Sequence, residues 1–391
     1  MLSESEARSR ILQAVNQKPE RQVPLSHALN CFSARDVVAQ LPLPTFENSA
    51  MDGYAVVASS SRKGAPLKVI GEQPAGVDRE LRVPPGEAVR IFTGAPIPAG
   101  ADAVVMQEDT KREGDKIVVN VGVDPGEFIR RRGCDLAEGQ KILARGDRIR
   151  STTVALLASQ GFTDVAIGGE VNAAILSTGD EIVMPGKKLN RGQIYDSNSM
   201  LLQALVQGCG AFVTSVERCR DQPQRLIKAI GHGIKSHMLV ITGGVSVGEH
   251  DLVQATLRSL GASIEIWRVA IKPGKPFLFG KAGTCAVFGL PGNPVSAFVT
   301  FLQFVRPAIL KMMGAHELDL RKFPVKLATD VANEGDRPHY VRGRIDNGTF
   351  LPSGRQESHA LFGLSQSNAL LRIAAGQSLK AGATVDVQIW E

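Results

Sequence analysis

Thr242-Gly-Gly-Val-Ser-Val-Gly-Glu-His-Asp251 directly follows the apolar run Met238-Leu-Val-Ile241 and directly precedes a helical pattern, Leu252, Val253, Ala255 and Leu257. A buried strand that passes through a glycine-rich turn into a helix is the usual setting for an anion cradle. Backbone N–H groups and the positive end of the helix dipole face the ligand there. Gly243 and Gly248 have the spacing of a P-loop, but Glu249 and His250 stand where its Lys and Ser/Thr would be. The stretch is therefore not an ATPase loop. It combines a cradle with carboxylates, which suits an anionic ligand accompanied by a divalent cation.

The arrangement recurs. Val171-Asn-Ala-Ala-Ile-Leu176 reads as a strand before Ser177-Thr-Gly-Asp-Glu181, and Ile264-Glu-Ile-Trp-Arg-Val269 before Ile271-Lys-Pro-Gly-Lys-Pro276. Cys285-Ala-Val-Phe-Gly-Leu290 reads as another, before Pro291-Gly-Asn-Pro294. Helical patterns lie between: Met200 to Val206 closed by Gly208, Gln224 to Ile230 closed by Gly231, and Val295 to Leu310. This alternation predicts a parallel, doubly wound α/β sheet, with ligands at the carboxyl ends of its strands.

The 391 residues are too many for one core, so several domains are expected. An N-terminal and linker domain is expected over 1–45 and 134–168, and a β-rich domain over 46–133. The α/β domain is expected over 169–316 and a C-terminal β-barrel over 317–391. The β-rich reading rests on Leu67–Ile70, Ala88–Phe92, Ala103–Met106 and Ile117–Val121. The barrel rests on Phe323–Ala328, His339–Ile345 and Thr384–Trp390. Ser3-Glu-Ser-Glu6 has capping-box spacing ahead of a helix with Ile11, Leu12 and Val15. The longest apolar segment, Val295 to Met313, is interrupted by Gln303, Arg306, Pro307 and Lys311, and reads as a buried core helix rather than a membrane span.

The net charge of +6 is spread out, and aromatics are only 5%, so neither a nucleic-acid interface nor a membrane surface is expected. Five cysteines without metal-ligand spacing fit reduced thiols and a cytoplasmic location.

Among polar motifs, Asn48-Ser-Ala-Met-Asp52 reads either as a hairpin corner or as a group of polar side chains facing a ligand. Thr93-Gly-Ala-Pro-Ile-Pro98 reads first as a Pro-rich turn. Lys272 and Lys275, framed by Pro273, Gly274 and Pro276 past a strand end, read as an oxyanion clamp rather than solvated lysines. Pro291-Gly-Asn-Pro294 opens a long helix and can present N–H groups to a phosphate, or can be an ordinary helix start. Asp180, Glu181, Asp196, Glu249 and Asp251 crowd one rim and would repel one another unless a cation sits among them. An all-oxygen donor set favours Mg2+.

Asn48–Ala55, Thr93–Asp102, Ser177–Glu181, Ile194–Asn198, Gly243–Glu249, Lys272–Pro276 and Gly289–Ser296 occur in this order. Together they resemble the molybdopterin molybdenumtransferase family, whose eukaryotic relative is the gephyrin E domain. Gln356–His359 and Ser365–Asn368 fit its C-terminal barrel. The resemblance covers nearly the whole chain. It implies a four-part homodimer that ligates molybdate to adenylylated molybdopterin and releases AMP. It implies catalytic roles for Asp52, Thr93, Asp135, Glu181, Asp221 and Asp251, with Mg2+ held by Glu181, Asp251 and Asp52. It implies substrate contacts from Thr178, Gly179, Asp180, Asp196, Ser197, Asn198, Gly243, Gly244, Ser246, Gly248, Lys272, Lys275, Pro291, Gly292, Asn293, Pro294 and Ser365. A molybdopterin adenylyltransferase and molybdoenzyme-specific chaperones are the partners it suggests. Thr242, Asp221-Gln222 and Glu357 depart from the family's common residues. The competing readings are a molybdopterin adenylyltransferase, which would release pyrophosphate from Mg-ATP, and a non-catalytic molybdopterin-binding scaffold.

Overall fold

The computed structural model describes residues 1–244 and 252–390. The chain divides into two compact units, Asp36–Leu143 and Met1–Arg35 with Ala144–Glu391. The first is built on a six-stranded sheet whose spatial order is Ala103–Met106, Gly53–Val56, Glu87–Ile91, Pro66–Gln73, Lys116–Val119, Thr110–Glu113. Only the Pro66–Gln73 and Glu87–Ile91 pair is parallel. Strand alternation explains its two cores: Tyr54 and Val56 pack with Leu67, Val105 and Ile117, while Ala55 points the other way, among Val89, Ile91 and Val104.

The larger unit centres on a second six-stranded sheet. Its elements are β1 (Asn172–Thr178), α1 (Ser197–Gly208), β2 (Phe212–Cys219), α2 (Pro223–Gly233), β3 (Met238–Thr242), α3 (Leu252–Ser259), β4 (Ser263–Trp267), β5 (Leu278–Ala282), β6 (Cys285–Leu290) and α4 (Pro294–Met312). The spatial order is β2-β1-β3-β6-β5-β4. Successive side chains of β1 serve opposite faces. Ala173 and Ile175 join α1 and α4 in one core, whereas Ala174 and Leu176 join α2 and α3 in another. Both faces are therefore covered, as a doubly wound sheet requires, and the central strands read as continuous apolar runs.

The sheet is not wholly parallel. β5 runs antiparallel to both neighbours and returns through the two-residue turn Gly283-Thr284, with Gly283 at φ 60°. Edge strand β2 alternates between exposed and half-buried residues, so its mixed sequence carries no apolar run. Gly231 does not close α2, which continues to Gly233. α4 contains a π turn over Phe301–Val305 and is long and apolar enough to span a membrane, but 89% of its apolar window is buried in this core.

At the N-terminus, the helix Glu4–Ala14 has the full capping box. The Ser3 N–H donates to Glu6 (2.9 Å), and the Glu6 N–H donates to the Ser3 hydroxyl (3.2 Å). Ala7 and Ile11 enter the larger core. The C-terminal strands β7 (Arg321–Leu327), β8 (His339–Asp346), β9 (Thr349–Pro352), β10 (Ala369–Ile373) and β11 (Thr384–Ile389) close into a barrel in the order β7-β9-β8-β10-β11. Its interior is filled by Leu327, Val341, Phe350, Leu371, Ile373 and Val387. Closure removes both sheet edges.

Barrel and sheet are joined at Lys272. Its N–H donates to the Pro338 carbonyl (2.8 Å), and its carbonyl accepts from the Tyr340 N–H (2.7 Å). His339, 8% exposed, sits in this seam. Burial, reinforced by Lys272 and Arg342, pushes its pKa from 6.5 down to about 4. The folded imidazole is therefore neutral where the unfolded one is protonated.

Two outcomes follow. Stability attributable to His339 is complete above pH 6.5 and is lost as pH falls toward 4, because the unfolded chain takes up a proton that the fold refuses. Between pH 7 and 4.5, the wild type should lose about 2–3 kcal/mol more than His339→Gln in denaturant melts. Parallel losses would remove His339 from the acid response. Phe288 is fully buried, with ring centroids 5.0 Å from Phe279 and 6.4 Å from Phe277. Phe288→Ala should cost about 3–5 kcal/mol in the same assay.

Candidate functional site

Three loops leave the carboxyl ends of β1, β3 and β6, the first leading into the start of α1, and a small set of polar side chains ties them together. Thr242, at the end of β3, donates its hydroxyl to the Pro291 carbonyl (3.2 Å) and accepts from the Asn198 amide (2.9 Å). Asn198 also donates to the Gly292 carbonyl (2.7 Å). Thr178, at the end of β1, donates its hydroxyl to Asp221, which lies just past β2. The structure thus brings Thr178, Asn198, Asp221, Gly292 and Gly243 to one edge.

The glycines are sterically required there. Gly243 has φ 83°, and a Cβ on it would collide with the Thr178 carbonyl oxygen. Gly244 has φ 63°, and a Cβ there would stand 2.7 Å from Val253 and 2.8 Å from Thr178. A side chain would push the loops apart and close the space over them.

The rim carboxylates divide by role. Asp196 is buried and caps α1, accepting from the Ser199 N–H (3.0 Å) and hydroxyl (2.7 Å), so it is spent on the helix start. Asp180 and Glu181 are exposed, and Gly179 between Thr178 and Asp180 would carry a Cβ 2.7 Å from Glu181. Ser197 opens α1, half-buried. Two buried polar atoms at this edge, the Ser177 hydroxyl and the Asn198 side-chain oxygen, have no hydrogen-bond partner. An unpaired buried polar atom is costly. Ser246, Gly248, Glu249 and Asp251 lie outside the described residues.

The start of α4 is less open than its sequence implies. Pro294 has no N–H, and the Val295 N–H is already donated to the Ser358 carbonyl (3.1 Å). Asn293 does not cap the helix. Its amide donates instead to the Ser358 hydroxyl (2.8 Å), which binds this loop to the barrel's Ser353–Ser367 segment.

Sequence reasoning missed the most unusual cation. Arg342, on β8, is 1% exposed. Its Nη2 donates to the carbonyls of Arg355 and Glu357 (3.2 Å to the latter), while Nε and Nη1 have no partner. Burial lowers its pKa, and Glu357 opposes that. Glu357 thus serves Arg342 through both its carbonyl and its charge, and its side chain is exposed. The His339 pKa responds to both Lys272 and Arg342, so three potential donors crowd the seam. Lys272 and Lys275 are themselves exposed, on a frame where Gly274 would carry a Cβ 2.5 Å from Thr300. Ser365 is exposed and donates to the Phe362 carbonyl (2.8 Å). No sequence signal marks Arg342, because β8 is buried from His339 to Gly343 and offers no alternation.

In the smaller unit, Asp52 is more than a hairpin corner. The N–H (2.7 Å) and hydroxyl (2.8 Å) of Thr93 both donate to its Oδ1. They hold its pKa below the ordinary carboxylate value. Oδ2 has no hydrogen bond among the described residues. The neighbouring Asn48 is buried, with its side-chain oxygen unpaired. Asp135 is exposed in the turn after Gly133, and its carboxylate has no hydrogen-bond partner among the described residues.

Comparison with known proteins agrees along the chain. Residues 2–161 match the MoeA N-terminal region (domain I and II), 174–311 a probable molybdopterin binding domain, and 324–390 the MoeA C-terminal region (domain IV). A molybdopterin molybdenumtransferase of Haemophilus influenzae is 40% identical over 80% of this chain and 78% of its own. Molybdopterin molybdenumtransferase 2 of Mycobacterium tuberculosis is 33% identical over 94% of each chain. The crystal structure of a molybdopterin biosynthesis moeA protein from Pyrococcus horikoshii superposes with a TM-score of 0.80 at 30% identity, covering 100% of both chains. With this similarity extending through every part of the fold, the chain belongs to the molybdopterin molybdenumtransferase family.

Proposed function

We propose that this chain joins molybdate to adenylylated molybdopterin, releasing AMP and forming molybdenum cofactor. The observation that carries the reading is a glycine-lined sheet edge with orphaned buried polar atoms, hydrogen-bonded through Asn293 to the barrel segment that also holds Arg342, a buried guanidinium with two nitrogens unpaired. The reaction must bring an oxyanion to a substrate that already carries phosphates. Fixed N–H groups and cations in a water-poor site offset that repulsion without reorganising.

In this reading, Gly243, Gly244 and the residues around Thr178 and Asn198 receive the pterin-phosphate, together with Gly179, Pro291 and Gly292. The orphaned Ser177 hydroxyl and Asn198 oxygen find partners on the substrate. Lys272, Lys275 and Arg342 hold molybdate, and neutral His339 adds no charge of its own. No protein nucleophile is required. Asp52 stays ionised because Thr93 donates to it twice.

Among the described residues, no three His, Cys, Asp or Glu side chains gather to hold a metal. Mg2+ needs no such cage, since one or two carboxylates and substrate phosphates with water suffice. Glu181 and the free Oδ2 of Asp52 fit that donor set, and Asp251 is the third candidate. The ion would neutralise phosphate charge. Sharing the site between two subunits is the reason to expect a homodimer. The five free cysteines fit a cytoplasmic enzyme. A molybdopterin adenylyltransferase supplying the substrate and chaperones receiving the product are the proposed partners.

Purified protein incubated with adenylylated molybdopterin and molybdate should release AMP and form cofactor. Pyrophosphate release from molybdopterin and Mg-ATP would instead mark an adenylyltransferase, and tight binding with no turnover a scaffold.

Asp52→Asn keeps an acceptor for Thr93 but removes the charge. Its melting temperature should change little, while cofactor formation should fall roughly tenfold or more. Full activity would return Asp52 to a purely structural turn. Replacing Lys272 and Lys275 together by Gln should weaken molybdate or pterin-phosphate binding about tenfold. That loss should shrink at high salt, which already screens the wild-type attraction. Calorimetric titration at low and high salt reads both effects, and unchanged affinity would make the lysines mere solvated surface.

A further inference from the structure

A cavity of about 450 Å³ lies elsewhere in the larger unit, sharing no residue with the loops described above. Arg148, Arg150, Arg306 and Arg321 line it, beside Trp390. Arg306 is unusual by origin, as a charged residue in the buried helix α4. None of the four guanidinium groups has an ion-pair partner among the described residues. Arg148 donates to the Gly208 carbonyl (2.7 Å) and Arg306 to the Leu318 carbonyl (3.0 Å). The Nε of Arg148 is buried without any partner.

The acidic residues in the wall do not balance them. Asp319 pairs with Arg8. Asp147 accepts from the Ala144 N–H (2.7 Å) and faces His316 (3.7 Å), which also faces Glu317 at 4.0 Å. Burial lowers the Arg306 pKa most; Cys209 and Asp319 act against that, while the like charges of Arg148 and Arg8 add to it. Guanidinium does not discharge to escape such crowding. A cavity that collects like charges and leaves them without ion-pair partners among the described residues is complementary to an anion.

We propose that this cavity is a second anion site, which takes a small molecule bearing a phosphoryl dianion between the Arg148 and Arg306 guanidinium groups. The volume exceeds that of a lone phosphate and falls in the range of small-molecule sites. Trp390, half-buried in the cavity wall, is the aromatic surface there for an organic group attached to it.

Trp390 is also the reporter. The chain has two tryptophans, so Trp267→Phe leaves Trp390 alone. Titrating that protein with diphosphate should give a saturable change in fluorescence and a raised melting temperature. Adding Arg148→Gln and Arg306→Gln should weaken binding roughly tenfold or more. Adding Lys272→Gln and Lys275→Gln should leave it unchanged. Tighter binding of AMP than of diphosphate would identify an organic phosphate as occupant, and the reverse an inorganic one. If that half-buried double variant fails to fold, the exposed pair Arg150→Gln and Arg321→Gln should still weaken binding several-fold. No saturable change at millimolar diphosphate or AMP would overturn the proposal. So would affinity that ignores the arginines, or affinity lost with the two lysines instead.

Discussion

Everything at the sheet edge depends on the hydroxyl of Thr242. It donates to one loop and accepts from the helix that begins another, and both bonds are buried. With Asn198 reaching the Gly292 carbonyl, three segments far apart in sequence are held by three hydrogen bonds. Each is modest alone, about 1 kcal/mol. They act where the main chains are already close: Gly243 lies under Thr178, and a Cβ at Gly292 would be 3.7 Å from the Gly243 Cα. Such spacing leaves no room for side chains and turns the main chain itself toward the ligand. Thr242, one of the departures from the resembled family's common residues, supplies the hydroxyl on which the arrangement rests.

The barrel completes this edge rather than standing apart from it. Ser358 binds both Asn293 and Val295 at the start of α4, and Lys272 is hydrogen-bonded on both sides to the strand that carries His339 and Arg342. Burying a guanidinium costs several kcal/mol unless its donors are met. Arg342 meets that cost only in part, with carbonyls of the Ser353–Ser367 segment. Gly363 of the same segment lies against the Arg342 guanidinium.

The two basic clusters differ in kind. Lys272, Lys275 and Arg342 surround the end of a strand and a glycine frame, where geometry is set by main-chain hydrogen bonds. Arg148 and Arg306 come from a loop and from the middle of a buried helix, and each is tied to a main-chain carbonyl, of Gly208 and Leu318. Both show that net charge says little about function, since a total of +6 conceals two local concentrations.

The sequence by itself determined the central strands, the covered sheet and the edge on which the polar loops fall. Apolar runs of β1, β3 and β6 bury both faces, and glycine turns follow each. It also determined the capping box at Ser3 and the buried character of α4, because both follow from residues near in sequence. It did not show β2, whose half-exposed edge position permits polar residues, nor the reversed β5, although Gly283-Thr284 is a legible hairpin turn. Only the tertiary structure decided that Asp196 caps a helix, that Asn293 serves the barrel, that Thr93 grips Asp52, and that Arg342 is buried with donors to spare. Periodicity reports which face a side chain takes. Which partner it finds there depends on contacts across tens to hundreds of residues, and those exist only once the chain has folded.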